Sequence, residues 1–304
     1  MVYCLMMLIF SFMVFEQLKA IGGSIPDLRI TATSIDHANE LDNVPVMDEG
    51  GKKILPKRHD IEFKDVCFAY EKRPILKNIN LIFPEKTTTA IVGPSGSGKT
   101  TLCNLIARFW DADTGSVCIG GHDVKEYTLD SLMNNISMVF QNVYLFADTI
   151  ENNIKFGKPD ATHAEVVEAA RKACCDDFIE TLPEGYDTVL DEGGSSLSGG
   201  EKQRLSIARA MLKNASIVIF DEATANVDPE NEDRLQAAIE ALTHDKTIIM
   251  IAHRLKTVRN ADQIFVLDQG EIVQQGTHST LMNQPGIYEN FVVGRKNAAG
   301  WKLL

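Results

Sequence analysis

The stretch Gly93-Pro94-Ser95-Gly96-Ser97-Gly98-Lys99-Thr100 follows an apolar run, Thr89 to Val92, and precedes a helical pattern from Thr101 to Phe109. This is the spacing G-x-x-x-x-G-K-[ST] between a predicted strand and a predicted helix, which is typical of a phosphate-binding loop. Glycines let the backbone direct successive N–H groups at phosphate oxygens, and the helix N-terminus adds a favourable partial positive charge. The stretch therefore predicts an α/β fold built around a phosphate site.

The end of this loop carries side chains suited to a bound nucleoside triphosphate. Lys99 would reach the β- and γ-phosphates, Thr100 would offer its hydroxyl to Mg²⁺, and Thr101 is the next candidate nucleotide contact. The alternative is a flexible glycine-rich turn, which the position between strand and helix disfavours. The loop alone does not separate ATPases from GTPases or small-molecule kinases, so another motif has to decide.

Further apolar runs predict that the loop belongs to a buried parallel sheet. They are continuous rather than alternating, as in strands covered by helices on both faces. The runs are Thr89 to Val92, Ser137 to Phe140, Ile217 to Phe220, Ile248 to Ala252 and Ile264 to Leu267. Between the second and third runs, helical spacing at Ala164 to Cys174 and at Leu205 to Leu212 predicts a helical insertion without a convincing strand.

Two other patterns predict strands of a different kind. An apolar series nearly alternates, with one slip in phase near Asp65, which predicts an edge or antiparallel strand with a bulge. The series is Ile61, Phe63, Val66, Phe68 and Tyr70. Asp268-Gln269-Gly270-Glu271 lies between two apolar runs and predicts a hairpin turn.

A second glycine-containing motif, Leu197-Ser198-Gly199-Gly200-Glu201-Lys202-Gln203-Arg204, predicts a capped helix. Ser198 and Glu201 have the S-x-x-E spacing of a capping box, so the helix should start at Ser198 and run to about Lys213. Gly199 and Gly200 leave backbone N–H groups uncovered at a positive helix end, which makes a second anion-binding surface. An ordinary capped helix is the simpler interpretation of this motif alone.

This motif resembles the signature sequence of ABC ATPases, and further motifs follow in the order of that family. Asp221-Glu222 ends an apolar strand and resembles Walker B with its catalytic glutamate. Gln141, Ala225-Asn226-Val227-Asp228 and His253 match the Q-loop, D-loop and H-loop. Singly, these residues could be a helix-start acid pair, a surface amide and a hydrogen-bonded core histidine. Together they identify a P-loop core of the ABC ATPase type over about residues 57 to 297, with an antiparallel β subdomain and a helical subdomain.

The resemblance implies roles for these residues in ATP hydrolysis. The loop amides and Lys99 would hold the phosphates, while Thr100, Asp221 and Gln141 would hold or sense Mg²⁺. Glu222 would be the general base, and His253 would keep the γ-phosphate and the attacking water in line.

One further contact is implied for the adenine. Tyr70 stands where ABC domains often stack an aromatic ring on that base. Its alternative is a core aromatic at the end of a strand, because strands favour aromatic residues.

The family also implies partners. Its signature segment, here Ser198 to Glu201, completes the nucleotide site of a second ATP-binding domain, so two copies, identical or different, are expected to pair head to tail. Asp187 to Gly194 occupies the place of the loop that touches the coupling helices of a transmembrane domain. The sequence Val189-Leu190-Asp191-Glu192-Gly193-Gly194 departs from the common exporter pattern, so the details of this contact stay open.

Net charge and cysteines narrow the remaining function classes. The formal charge of -12 and the absence of a Lys/Arg run disfavour nucleic acid as a partner. The six cysteines lack C-x-x-C spacing and companion histidines, so neither a zinc site nor a disulfide framework is indicated. A reducing cytosol fits this pattern best.

The first fifteen residues are uncharged and almost all apolar, which is short of a full membrane span. A secretory signal and a buried core helix are alternatives to the inner end of a transmembrane helix. Lys19 and Arg29 follow the run, as expected at a cytoplasmic exit. We therefore expect a truncated transmembrane helix at 1–21, with the ATP-binding domain on the cytoplasmic side of the plasma membrane. A helix extension and linker interrupted by glycines and prolines should follow at 22–56.

The remaining boundaries complete the expected organisation: the ATP-binding domain at 57–297, its helical subdomain at about 142–214, and a tail at 298–304. This order, membrane segment before ATPase, predicts an exporter half-transporter whose substrate the sequence does not identify. The alternatives are a soluble ABC ATPase acting as a mechanical clamp, and a separate ATPase subunit of a permease.

Overall fold

A computed structural model of the chain describes residues 2–42, 47, 50–221, 229–251 and 258–300. The chain divides into two units, Met1–Glu49 and Gly50–Leu304. The first unit contains one long helix. The second contains two sheets and the helices around them.

The helix of the first unit, α1, extends from Val2 to Asp42 and is long and apolar enough to cross a membrane, by length and composition. The expectation that Gly22-Gly23 and Pro26 interrupt any long helix is wrong, because α1 passes through them. Proline removes one backbone N–H donor and crowds the carbonyl four residues earlier, but long apolar helices tolerate it when the other backbone groups stay satisfied. The glycines face open space.

The antiparallel sheet of the second unit contains four strands in the order β2-β1-β4-β5. Its strands are β1 Ile61–Tyr70, β2 Arg73–Phe83, β4 Thr114–Ile119 and β5 His122–Asp123. The predicted slip is present: the β1–β2 register shifts between Phe63 and Val66, and Asp65 has φ 48. Because β1 pairs on both sides, it is an inner antiparallel strand and not an edge strand.

The larger sheet contains six strands in the order β10-β9-β3-β8-β7-β6. Its strands are β3 Thr88–Val92, β6 Ile136–Val139, β7 Ile217–Asp221, β8 Thr247–Ile251, β9 Gln263–Asp268 and β10 Glu271–Gly276. All are parallel except β10, which pairs antiparallel with β9. Gln269 and Gly270 have positive φ in the predicted hairpin turn. The predicted α/β core with an added antiparallel sheet is therefore present.

The helices of the second unit connect and cover these strands. They are α2 Lys99–Ile106, α3 Leu129–Met133, α4 Ile150–Lys155, α5 His163–Lys172, α6 Asp176–Ile179, α7 Gly199–Lys213, α8 Pro229–Thr243, α9 His278–Met282 and α10 Ile287–Gly300. The segment between β6 and β7, which the structure describes throughout, holds α4 to α7 and a single isolated bridge between Thr149 and Val189. The predicted helical insertion is therefore present.

The core that positions the site lies where the two sheets meet. Phe83 of β2 packs edge-on against Phe265 of β9, with ring centroids 5.6 Å apart. Leu102 and Ile106 of α2 are fully buried in the same cluster. Burying a side chain of this size stabilises a fold by about 1.5–3 kcal/mol, so both sheets hold α2, and the loop before it, in a fixed place.

Candidate functional site

The loop 93–98 between β3 and α2 is built on glycines with left-handed backbone angles. Gly93, Gly96 and Gly98 have φ values of 153, 78 and 106. A Cβ on Gly93 would lie 2.0 Å from the carbonyl oxygen of Leu267 on the neighbouring strand β9. Only glycine therefore fits at the start of the loop without moving the backbone.

Replacing Gly93 by Ala should destabilise the domain, because the new methyl group meets a backbone carbonyl and not a side chain that can turn away. We expect a loss of roughly 1–3 kcal/mol in the free energy of unfolding, the range for local backbone strain. Gly96→Ala is the matched control, since Gly96 also has positive φ but no atom within 4 Å of the added Cβ. Urea unfolding of both variants measures the difference, and equal losses would contradict the close approach to Leu267.

The N-terminus of α2 faces the loop without a side-chain cap. Its N-cap is Gly98, which has no side chain to satisfy the first N–H groups. Thr100 is exposed at this end of the helix, and Thr101 is buried. Free N–H groups at a helix N-terminus attract anions, so this end of α2 suits a phosphate.

Lys99 folds back over the loop that precedes it. Its ammonium group donates to the carbonyl oxygens of Gly93 at 3.0 Å and of Pro94 at 2.8 Å. The residue is only 7% exposed. These contacts hold the positive charge at the loop, where a phosphate could replace the carbonyls as its partner.

Ser97 offers a further sign that the loop is built for a ligand. Its hydroxyl oxygen is buried and has no hydrogen-bond partner among the described residues. A buried hydroxyl without a partner costs free energy, so native structures rarely leave one unless something else binds there. The hydroxyl fits the phosphate expected inside the loop.

A cleft of about 270 Å³ opens beside this loop. It is lined by Arg73, Ile75, Ser95, Gly96, Gly98, Lys99, Thr100 and Thr101. Arg73, the first residue of β2, was not predicted from the sequence, because it reaches the cleft only through the packing of β2 beside the loop. Its exposed guanidinium adds positive charge to a cleft already suited to phosphate.

Tyr70 lies three residues before Arg73, its hairpin partner, which lines the cleft. It is half-buried and pairs with Arg73 across the β1–β2 turn. Its ring meets the rings of Phe68 and Trp110 edge-on, with centroids 4.8 and 5.3 Å away. Both the adenine contact and the aromatic-cluster interpretation remain compatible with this position, so the adenine role stays a prediction.

The acidic residue Asp221 ends β7 at the carboxyl edge of the parallel sheet. It pairs in register with Ile251 of β8, and Ile251 pairs with Ile91 of β3 just before the loop. Burial raises the pKa of the Cys103 thiol on α2, and the charge of Asp221 raises it further. Asp221 therefore lies within electrostatic range of Cys103 on α2.

Several predicted residues cannot be placed in this way. Glu222, the segment Ala225 to Asp228, and His253 lie outside the described residues. Gln141 follows β6 and is exposed. Val139 at the end of β6 pairs with Phe220, the residue before Asp221. The chain therefore leaves β6 toward Gln141 at the same edge of the sheet as Asp221.

The helix α7 begins with the predicted capping box. The Ser198 hydroxyl accepts from the Glu201 amide at 3.3 Å, and the Glu201 carboxylate accepts from the Ser198 amide at 2.7 Å. Gly199 is exposed at the first position of the helix and Gly200 is buried. The helix ends at Lys213, as the sequence predicts, and Asn214 closes it in the left-handed conformation.

A single domain thus brings together only some of the predicted site residues. Among the described residues, the lining of the cleft includes neither Tyr70, Gln141 nor the Ser198 to Glu201 segment. Within the same described part of the chain, no group of three or more His, Cys, Asp or Glu residues could hold a metal. Mg²⁺ usually binds through one or two protein ligands together with substrate phosphates, so Thr100 and Asp221 remain suitable.

Comparison with known proteins shows similarity to one protein family. Residues 76–225 match the family described as ABC transporter. The chain is 50% identical over 250 residues to a protein of Syntrophus aciditrophicus named ATP-dependent lipid A-core flippase. It is 47% identical over 244 residues to a protein of the same name from Vibrio cholerae. These alignments cover 82% and 79% of this chain but only 42% of each relative, so the chain spans less than half of their length.

A solved structure is also similar. A bacterial Atm1-family ABC exporter with ATP bound superposes with a TM-score of 0.81 at 39% sequence identity. The superposition covers 88% of this chain and 48% of the exporter chain.

Proposed function

Because the chain belongs to the ABC transporter family, we propose that it binds and hydrolyses ATP to drive export across a membrane. The observation that carries this proposal is the glycine loop at the uncapped N-terminus of α2, with Lys99 held over it. Such a loop binds the phosphates of a nucleotide. The capped α7 helix in the same domain favours the ABC type of nucleotide site.

Within the proposed site, each group acts on the triphosphate. The loop amides and Lys99 bind the phosphates, and Arg73 adds charge at the mouth of the cleft. Thr100, Asp221 and Gln141 would hold Mg²⁺, which neutralises charge developing on the phosphate oxygens. Gly93, Pro94, Ser95, Gly96, Ser97 and Gly98 form the cradle.

Glu222 and His253 complete the proposed chemistry. Glu222 accepts a proton from the attacking water, and His253 keeps the water in line with the γ-phosphate. Most of the catalysis comes from positioning and charge stabilisation, since phosphoryl transfer requires little covalent chemistry from the protein.

We propose that two ATP-binding domains assemble head to tail around the nucleotides. In this arrangement the Ser198 to Glu201 segment of one copy completes the site at the Lys99 loop of the other. Two features support it: Gly199 is exposed, and the cleft lining of a single copy lacks this segment. Two identical copies paired in this way are related by a two-fold axis, so the contact is isologous and forms two equivalent sites.

Mixing two inactive variants tests the pairing. Lys99→Ala removes the phosphate ligand of one copy. Gly199→Asp places a carboxylate where the other copy would meet phosphate, and an acidic residue at a helix N-terminus does not weaken the helix itself. Each variant alone should hydrolyse almost no ATP.

The mixture should recover about a quarter of wild-type activity, because half of the random pairs contain one intact site out of two. ATP hydrolysis is measured for each variant and for the mixture at equal total protein. Activity of the mixture no greater than that of its parts would contradict composite sites.

The proposed location is the plasma membrane, with α1 as the membrane segment and the ATP-binding domain on the cytoplasmic side. The length and apolar character of α1 support this location. The names of the relatives make lipid A core the first candidate substrate to test. The domain boundaries 1–21, 22–56, 57–297 and 298–304, and the helical subdomain at about 142–214, form part of this proposal. A soluble mechanical clamp is not favoured by these relatives or by α1.

A further inference from the structure

The segment that carries Gln141 is held at both ends by side chains of α7. Gln203 donates from its side-chain amide to the carbonyl oxygen of Phe140 at 3.3 Å. Arg209 donates from Nη1 to the carbonyl oxygen of Tyr144 at 2.8 Å. Gln141 therefore lies in a short irregular segment whose two ends are attached to the helix that begins at Ser198.

The attachment at Arg209 includes a second, buried partner. Its Nε donates to the carbonyl oxygen of Asn153 and its Nη2 to the Oδ1 of Asn153, both at 2.6 Å. Asn153 is fully buried. Its side chain in turn accepts from the Phe146 amide and donates to the Phe146 carbonyl, both at 3.0 Å. One guanidinium thus fixes the backbone on both sides of Phe146.

The guanidinium also lies beside two aromatic rings, and its helix is in close contact with the end of α4. Phe146 and Phe156 stack with centroids 4.2 Å apart, and Arg209 lies 6.0 and 5.9 Å from their centroids. A Cβ on Gly157 would lie 2.1 Å from the Arg209 carbonyl oxygen, so the end of α4 packs directly on the α7 backbone. Segment 140–157 and α7 therefore form one tightly joined unit.

The charge of Arg209 is balanced by carbonyl dipoles. Burial lowers its pKa to about 10, so it remains protonated at neutral pH. Among the ion pairs of the described residues, none involves Arg209. A planar guanidinium can hold several acceptors at fixed angles, which an ammonium group cannot. The contact therefore specifies the path of the 140–153 backbone as well as stabilising it.

We propose that Arg209, assisted by Gln203, is a positioning residue for ATP hydrolysis that holds Gln141 in fixed relation to the Ser198 end of α7. The inference rests on the proposed function, because Gln141 acts on the bound nucleotide only there. We call the hydrogen bonds of Arg209 and Gln203 to this segment the clamp. When Ser198 engages the nucleotide of a second copy, the clamp moves the Gln141 segment with α7. Neither Arg209 nor Gln203 touches the nucleotide.

The test compares Arg209→Met, Arg209→Lys and Lys213→Met in the full chain. Lys213 is a matched control on the same helix: it is also partly buried, and its side chain makes no hydrogen bond to the described residues. Hydrogen exchange without nucleotide reports the backbone of residues 142–149. Arg209→Met should speed exchange there, while the amides of α7 stay protected and Lys213→Met changes neither. Unchanged exchange at 142–149 would overturn the clamp.

Steady-state ATP hydrolysis tests the link to Gln141. Arg209→Met should lower kcat about tenfold with little change in KM for ATP, because small misplacement of a catalytic group is costly. Arg209→Lys should fall between Arg209→Met and wild type. In a Gln141→Ala background, Arg209→Met should lower kcat by less than about twofold, since residues that act through one another are not additive.

Three results would overturn the positioning role. The first is an equal loss of kcat in both backgrounds, because Arg209 would then act independently of Gln141. The second is a loss confined to KM. The third is faster exchange at 142–149 with unchanged kcat. Absence of hydrolysis by the wild-type chain would overturn the proposed function instead, and the exchange measurement would still decide whether the clamp exists.

Discussion

Glu222→Gln is expected to lower the rate of ATP hydrolysis by about 10²- to 10⁴-fold, the usual contribution of a positioned general base. The amide keeps the size and polarity of the carboxylate but cannot accept a proton from the attacking water. ATP binding should persist, because the phosphates are held by the 93–98 loop and Lys99. Single-turnover hydrolysis and equilibrium ATP binding, measured on the same preparation, separate the two effects.

The matched control for this substitution is Glu240→Gln. Glu240 is an exposed carboxylate on α8 whose side chain accepts a hydrogen bond from Gln236. The Glu240→Gln variant should hydrolyse ATP at the wild-type rate. If Glu222→Gln also did so, Glu222 would not be the base.

Lys99→Met should abolish most ATP binding, in contrast to Glu222→Gln. A charge-assisted hydrogen bond contributes about 1.5–3 kcal/mol, so affinity should fall by about ten- to a hundredfold. Methionine keeps much of the aliphatic length, and the loop should stay folded because its shape depends on Gly93 and Gly98. Calorimetric titration with ATP measures the affinity, and hydrolysis should fall with it.

Lys202→Met controls for the loss of one positive charge. Lys202 lies in the first turn of α7 and is half-buried, and it does not line the cleft beside Lys99. ATP affinity of a single copy should therefore be unchanged in this variant. Equal ATP affinity in Lys99→Met and the wild type would mean that the loop binds something other than triphosphate.

Features governed by local chain chemistry could be predicted from the sequence. The capping box at Ser198 and Glu201 forms within four residues, and the helix ends at Lys213 as expected. The bulge near Asp65 follows from a slip in the alternation of buried side chains. The glycine loop follows from backbone angles that only glycine adopts easily.

Features that depend on packing between distant residues could not be predicted. The inner position of β1 depends on pairing with β4, which follows more than forty residues later. The contacts of Arg209 with Tyr144 and Asn153 join residues 65 and 56 positions apart. No spacing rule marks such pairs, because they arise only when α4 and α7 pack together. Arg73 was missed for a similar reason, since its place in the cleft depends on how β2 lies against the loop.

The helix α1 shows where a local rule gives the wrong expectation. Glycine and proline lower helix propensity, so an interruption was predicted near Pro26. Relative to alanine, a glycine in a helix interior costs about 1 kcal/mol of helix stability and a proline about 3 kcal/mol. A continuous helix of 41 residues nevertheless forms, because propensity is a weak constraint beside an otherwise complete ladder of backbone hydrogen bonds.

The most direct test of composite ATP sites is the mass of the Glu222→Gln chain in solution with Mg²⁺ and ATP, measured by light scattering. We expect a species of twice the chain mass of 33.6 kDa that retains about one ATP per chain. Combining Glu222→Gln with Gly199→Asp should prevent this association while each chain still binds ATP. A single-chain mass with ATP bound, or a dimer that forms equally well without nucleotide, would contradict it.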